Sequence, residues 1–259
     1  MKIKKKYYGT TSQGEKVTLY TLTNSNGISL EIINYGGIIT KLFFPDNKGV
    51  LGNIVLGYDN LKYYEDNQPF FGAIIGRYAN RIKDGSFKID KVKFNIDKNN
   101  GNNHLHGGFS GFHKKVWAAK SIKRKDSLSL ILNFLSKDLE GGFPGNLETT
   151  VHYTLNNDNE LEIIYFAETD KKTIVNFTNH SYFNLGSSLN KDIFNHKLLL
   201  KANKYLEVNS DLIPTGKLLS VERTKFDFLN SNKLSSELDH CWVLDNYLKE
   251  KIELAAVLV

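Results

Sequence analysis

Four stretches of this 259-residue sequence concentrate side chains that can grip polar ligands or move protons. In the first, Gly76-Arg77-Tyr78-Ala79-Asn80-Arg81-Ile82, two arginines sit four apart among apolar residues. A guanidinium stays charged and offers five donors in a fixed fork, which suits hydroxyl or carboxylate recognition and equally suits a structural salt bridge. The second, Asn102-Asn103-His104-Leu105-His106-Gly107-Gly108, puts two histidines on one face if the segment is a strand. Such a pair can begin a metal site or be satisfied by backbone carbonyls. No Cys, Asp or Glu stands at a spacing that would supply a third metal ligand. The paired glycines let the backbone turn sharply or approach a ligand closely.

The third stretch, Val175-Asn176-Phe177-Thr178-Asn179-His180-Ser181-Tyr182-Phe183-Asn184-Leu185, interleaves hydrogen-bonding side chains with aromatic rings. If extended, it turns Asn176, Thr178, His180, Tyr182 and Asn184 to one side. That is the make-up of a sugar pocket, where hydroxyls take hydrogen bonds and the C–H face of the ring lies on an aromatic. It is also the make-up of the polar outer face of a strand. The fourth, Leu238-Asp239-His240-Cys241-Trp242, adds a carboxylate that can accept from two vicinal hydroxyls or simply face solvent at a strand start.

Composition narrows the choices. The chain is 41% hydrophobic with 16 Phe, 13 Tyr and 2 Trp, enough for a real core of pleated, half-buried surfaces. Its net charge of +6 comes mostly from lysines scattered singly, and only Lys2 to Lys6 forms a run. That pattern argues for solvated faces and against nucleic acid. The lone Cys241 rules out an internal disulfide and fits a reducing compartment. No window has the apolar length of a membrane span, and no apolar region follows the basic start. A cytoplasmic protein that touches neither membrane nor nucleic acid is expected.

The elements that must position these residues read as strands. Val92, Phe94 and Ile96 alternate with polar partners, as do Leu128, Leu130, Leu132 and Phe134. Leu147, Thr149, Val151, Tyr153 and Leu155 alternate likewise and continue, after a turn at 156–159, into Leu161, Ile163, Tyr165 and Ala167 as a hairpin. Single helical turns fit only at Asn60 to Glu65 and around Leu234. Without a linker or repeat, residues 1–259 read as one domain of stacked antiparallel sheets. The apolar run Leu254 to Val259 has no cap or polar tail, and the chain is expected to stop partway through its fold.

Taken in order, Gly76 to Ile82, Leu105-His106-Gly107-Gly108, Thr178 to Leu185, Leu212-Ile213-Pro214-Thr215-Gly216 and Leu238-Asp239-His240 resemble the motifs of the aldose 1-epimerase (galactose mutarotase) family. Shorter matches at Asn34-Tyr35-Gly36-Gly37, Gly142-Phe143-Pro144-Gly145 and Thr169-Asp170 extend the resemblance from about Tyr7 to Trp242. The resemblance implies an all-β fold, a large antiparallel β-sandwich of the mutarotase-like supersandwich type, incomplete at its C-terminus. It also implies interconversion of the α and β anomers of free hexoses, with no metal and no organic cofactor, in a monomer or homodimer.

By the same resemblance His180 is the general acid that protonates the ring oxygen, and His106 is a second pocket histidine that holds the sugar. Arg81 and Asp239 bind its hydroxyls, Asn80 and Tyr182 line the pocket, and Arg77 supports the fold. The family's base is a glutamate in a late Leu-Glu-x-Gln motif that this sequence lacks. Glu140, Glu148, Glu162 and Glu168 match non-catalytic segments, and Glu253 lacks the context. The chain is therefore expected to be a poor mutarotase. Two other readings remain: a non-catalytic sugar-binding protein, and a phosphosugar epimerase of the same superfamily.

Overall fold

Alternating apolar residues between 127 and 156 form the two central strands of an antiparallel sheet. The computed structural model containing it describes residues 1–66, 69–186, 189, 191–236, 238–247 and 252–259. The chain divides into two compact units, Met1–Phe183 and Asn184–Val259.

The first unit opens with a five-stranded sheet of β1 (Lys2–Thr10), β2 (Lys16–Thr23), β3 (Ser29–Ile33), β4 (Ile38–Pro45) and β5 (Leu51–Asn53), paired antiparallel in chain order. One helical turn follows, α1 (Leu61–Glu65), started by Asn60, whose side chain accepts from the Tyr63 N–H. Five short strands come next: β6 (Ile74–Ile75), β7 (Arg81–Ile82), β8 (Ser86–Ile89), β9 (Val92–Asn95) and β10 (His104–Leu105). A four-stranded sheet then runs β11 (Ala118–Lys123), β12 (Ser127–Ser136), β13 (Leu147–Asn156), β14 (Leu161–Thr169), and β15 (Thr178–Asn179) pairs back onto β6.

The two larger sheets share one core. Leu128, Leu130 and Leu132 of β12 and Leu147, Val151, Tyr153 and Leu155 of β13 pack with Tyr20, Leu22, Leu30, Ile32, Ile39 and Leu42 of the first sheet. Each fully buried aliphatic side chain here contributes about 1.5–3 kcal/mol. The Tyr153 hydroxyl crosses the core to donate to the Gly37 carbonyl at 2.8 Å. The alternation of residues 92–96 serves differently. Val92 is exposed, and β8 and β9 form a separate small hairpin, so only Ile96 beyond the strand is buried.

Arg77 is buried and spends its guanidinium on one hydroxyl and several backbone carbonyls. Its Nε donates to Ser136 Oγ at 2.9 Å, Nη1 to the Pro144 carbonyl at 3.0 Å, and Nη2 to the Ser136 and Lys137 carbonyls at 2.9 and 2.7 Å. Arg77 therefore ties the end of β12 to the loop that leads into β13. Arg77→Met is expected to strand these acceptors and lower the unfolding free energy by about 2–3 kcal/mol, read from urea midpoints.

The second unit contains β16 (Lys197–Leu200), β17 (Lys204–Val208), β18 (Pro214–Ser220), β19 (Asn232–Lys233), β20 (Trp242–Val243) and β21 (Ala256–Leu258). They form two three-stranded sheets, β19-β16-β21 and β18-β17-β20. Phe226 is buried against Tyr205 and His240, with ring centroids 4.4 and 4.3 Å away, and its carbonyl accepts from Trp242 Nε1. The helical turn expected around Leu234 is not formed. The backbone there pairs with β16 instead, and the Leu234 N–H donates to the His196 carbonyl. The apolar terminal run is an edge strand, with Leu254, Val257 and Val259 exposed. Among the described residues no helix is long and apolar enough to cross a membrane.

Candidate active site

Residues 72–82 are a spine from which two distant histidines hang. At its start, β6 pairs with β15, so that Thr178 faces Ile75 and Asn179 faces Ile74. His180 follows directly, and its backbone is fixed on both sides: its N–H donates to the Ala73 carbonyl at 2.9 Å and its carbonyl accepts from Gly72 at 3.1 Å. At the spine's other end, β7 pairs with β10, so that Leu105 faces Arg81. His106 follows, its N–H donating to the Asn80 carbonyl at 3.1 Å. The bond is returned through the ring, because the Asn80 N–H donates to His106 Nδ1 at 2.9 Å. An amide N–H can only donate, so His106 carries its ring proton on Nε2.

The imidazoles of His106 and His180 stand 5.2 Å apart at 83°. Burial first, then the positive charges of His180, Arg81 and His104, push the His106 pKa down to about 3. It is neutral at pH 7 and a hydrogen-bond donor through Nε2. Arg81 lies one pair away along the β7–β10 ladder, with Nε donating to Asn100 Oδ1 at 3.0 Å and its N–H to Asn80 Oδ1 at 2.8 Å. The Tyr182 ring flanks His180 at 5.1 Å and is itself met edge-on by Phe71 at 5.2 Å. Four residues singled out in the sequence, His106, His180, Arg81 and Tyr182, thus lie around one point of the first unit, with Asn80 as the clamp on His106. Asp239 belongs to the second unit, where it is exposed ahead of β20.

Two sequence readings change. His104 and His106 do not share a face, because His106 adopts a left-handed conformation (φ 53°) that ends β10. His104 is instead buried, Nδ1 against the Asp97 carbonyl at 2.8 Å and its ring edge-on to Phe143. Among the described residues no group of three or more His, Cys, Asp or Glu is placed to hold a metal. The 176–184 stretch is not one strand: Thr178–Asn179 pairs with β6, Asn176 and Phe183 form isolated bridges to Tyr78 and Val55, and Asn184 falls in the second unit, buried, donating to the Lys191 carbonyl. Gly107 earns its place sterically. At φ +87° its missing Cβ would lie 1.8 Å from the Gly76 carbonyl oxygen.

Two members of the cluster escaped the sequence reading. Phe70 touches three imidazoles: edge-on to His106 and His113 at 4.9 Å each, tilted against His180 at 5.7 Å. His113, in the short turn Phe112–Lys114, is buried, and burial first, then the positive charges of Lys114, His106, His180 and Lys115, bring its pKa to about 3. Neither motif signals this. The only sequence clue is that an aromatic pair, Phe70-Phe71, stands directly before Gly72.

The five glutamates weighed above make other contacts or face solvent. Glu140 takes Lys115 Nζ at 2.5 Å and the Ser136 hydroxyl. Glu148 and Glu168 face each other across the β13–β14 ladder, and Glu162 is exposed opposite Thr154. Glu253, in the second unit, accepts from Asn246. The cluster therefore presents a fixed Nε2–H donor from His106, the Arg81 side chain and a second imidazole, His180, around one point.

Residues 18–258 match the family model described as aldose 1-epimerase. The chain is similar to galactose mutarotase of Bos taurus, 40% identical over 214 residues, which cover 83% of this chain and 61% of that protein. It is similar to aldose 1-epimerase of Escherichia coli K12 at 38% over 224 residues, 86% of this chain and 64% of that one. It thus spans under two thirds of the length of these curated relatives. Among solved structures it superposes on galactose 1-epimerase from Lactobacillus acidophilus (TM-score 0.88, 28% identity, 100% of this chain and 77% of that one). It also superposes on the GalM/aldose epimerase homologue from C. elegans (TM-score 0.84, 29% identity, 93% and 74%).

Proposed function

The chain belongs to the aldose 1-epimerase family, and from that premise we propose that its histidine cluster binds the anomeric end of a free hexose and supplies the acid half of α/β interconversion. The observation that carries this reading is the pairing of a neutral His106, fixed as an Nε2–H donor by the Asn80 amide, with His180 held 5.2 Å away. His106 and Arg81 hold the hydroxyls. His180 protonates the ring oxygen as the C1–O bond breaks, while a base takes the C1 hydroxyl proton. The open aldehyde turns about C1–C2, and closure returns both protons. His106 and His113 are both uncharged at pH 7, and the proton donor of this reading is His180.

A second reading, sugar binding without catalysis, is favoured by one observation: Glu140 is already held by Lys115 and Ser136. Titration calorimetry with galactose and glucose, beside polarimetry from the pure α anomers, separates the two. Binding with an acceleration that His180→Asn removes supports the epimerase. Binding with the same anomer rate in both proteins leaves only the sugar-binding reading. Tighter binding of hexose 6-phosphates than of the free sugars would overturn the free-hexose assignment.

A further inference from the structure

We propose that Phe70 is the positioning residue of this site: its ring, wedged among the imidazoles of His106, His113 and His180, sets the separation and mutual angle of the two that act on the sugar. The inference rests on the reading of His106 and His180 as the sugar-facing pair. Three observations converge on it. First, Phe70 is in ring contact with all three histidines, meeting two of them edge-on at 4.9 Å each, at 80° and 81°. Second, its backbone is in the left-handed region at φ 59°, a conformation that a bulky L-residue adopts only where its surroundings impose it. The imposing contacts are visible. The Phe70 carbonyl accepts from Ala73 N–H at 3.1 Å, and Gly72 and Ala73 carry the backbone bonds to His180. Asn179 Nδ2 adds a bond to the Gly72 carbonyl at 3.0 Å. Third, the ring is backed from within. His113 is buried behind it in a position that leaves no slack, since a Cβ on Gly111 would come within 2.8 Å of the His113 ring.

Backbone bonds fix where the two histidine chains run, but not where their rings point. The His106 ring has the Asn80 amide on Nδ1, which still permits a swing about that bond. The edge of Phe70 closes that freedom and at the same time limits how near the His180 ring can approach. Proton transfer tolerates little error of this kind, and a misplacement near 1 Å costs on the order of a hundredfold in rate.

The test uses Phe70→Ala and Phe70→Leu in the 259-residue protein, with three readouts. Nitrogen-15 NMR of the imidazoles reads the tautomer and titration of His106. Calorimetry reads galactose affinity. Polarimetry reads the rate at saturating sugar. The expected result for Phe70→Ala is that His106 titrates nearer its ordinary range and loses its fixed Nε2–H form. The rate should fall on the order of a hundredfold, with affinity changed by less than about threefold. Phe70→Leu, which keeps the bulk, is expected to recover most of both. The proposal is overturned if both variants keep the wild-type His106 titration and rate, or if the whole loss falls on affinity. If Phe70→Ala does not fold, Phe70→Leu decides on the same criteria. In the wild-type protein, absent nuclear Overhauser contacts from the Phe70 ring to His106 and His180 overturn it with no variant at all. If the wild type accelerates no hexose, the epimerase reading fails, while the His106 tautomer and titration still decide the positioning role.

Discussion

Acetate added at pH 7 is expected to speed the equilibration of α-galactose by the 259-residue protein, in proportion to its concentration, and His180→Asn is expected to abolish that response. The argument starts from the carboxylates. Epimerisation by ring opening needs a base at the C1 hydroxyl, and an absent general base costs on the order of 10²–10⁴ in rate. In this chain Glu140 is tied to Lys115 and Ser136, Glu148 and Glu168 face each other on the β13–β14 ladder, and Glu162 is exposed. None of them is among the groups that act on His106, which are positive. The resting rate should therefore lie on the order of 10²–10⁴ below that of the Escherichia coli relative, measured side by side. A dissolved carboxylate can act as the base at the C1 hydroxyl, but without the advantage of being held in place. Effective molarities of positioned groups reach about 10⁵–10⁸ M, so molar acetate restores only a small part. A rate equal to the relative's without acetate would sink the idea. So would an acetate response that survives in His180→Asn, since the proton donor would then lie elsewhere.

Acidification from pH 7 to pH 5 is expected to cost the protein a large part of its stability. In the folded chain the pKa values of His106 and His113 are both pushed down to about 3, chiefly by burial. In the unfolded chain both return to about 6.5. Between those values the unfolded state binds the extra protons, so stability rises with pH. It is fully present above about 6.5 and is withdrawn as pH falls from there toward 3. At pH 5 each histidine withdraws about 2 kcal/mol, or about 4 kcal/mol for the pair, against a usual total of about 5–15. Urea midpoints at pH 7 and pH 5 measure this directly. At pH 5 the carboxylates Asp138 and Asp170, whose hydrogen bonds hold their pKa values below the ordinary range, still carry their charge. His113→Phe should remove about half of the difference. Equal midpoints at the two pH values would mean that these rings are hydrated and titrate normally.

The contrast between β12 or β13 and the histidine motif explains what was legible in the sequence. Leu128, Leu130 and Leu132 announce their strand because one face meets the core along its whole length, so the period of two is written into every second residue. The stretch around His180 carries an equally regular pattern but forms a ladder over Thr178–Asn179 alone, and the rest of its placement comes from isolated bridges at Asn176 and Phe183 and from single backbone bonds such as those to Gly72 and Ala73. A two-residue ladder leaves no periodic trace. His106 reads as a strand residue until its left-handed φ, for which the following glycines are the only hint. Phe70 and His113 were invisible for a related reason. Their surroundings are assembled from three separate segments, near residues 70, 106–113 and 180, and no local spacing encodes that meeting. The identity of the polar residues was readable; the roles of the apolar wedge and the buried ring required coordinates.

The spine of residues 72–82 also bears on how such a site can change over generations. Both histidines take their backbone anchors from one uninterrupted run of eleven residues, Gly72 and Ala73 at one end and Asn80 at the other. The span between proton donor and sugar holder is therefore inherited from a single short piece of gene. Loops elsewhere can lengthen, shorten or trade residues to suit a different sugar without altering that span. The converse also holds: one inserted codon between Ala73 and Asn80 would move the anchor of one histidine relative to that of the other and so alter the span itself.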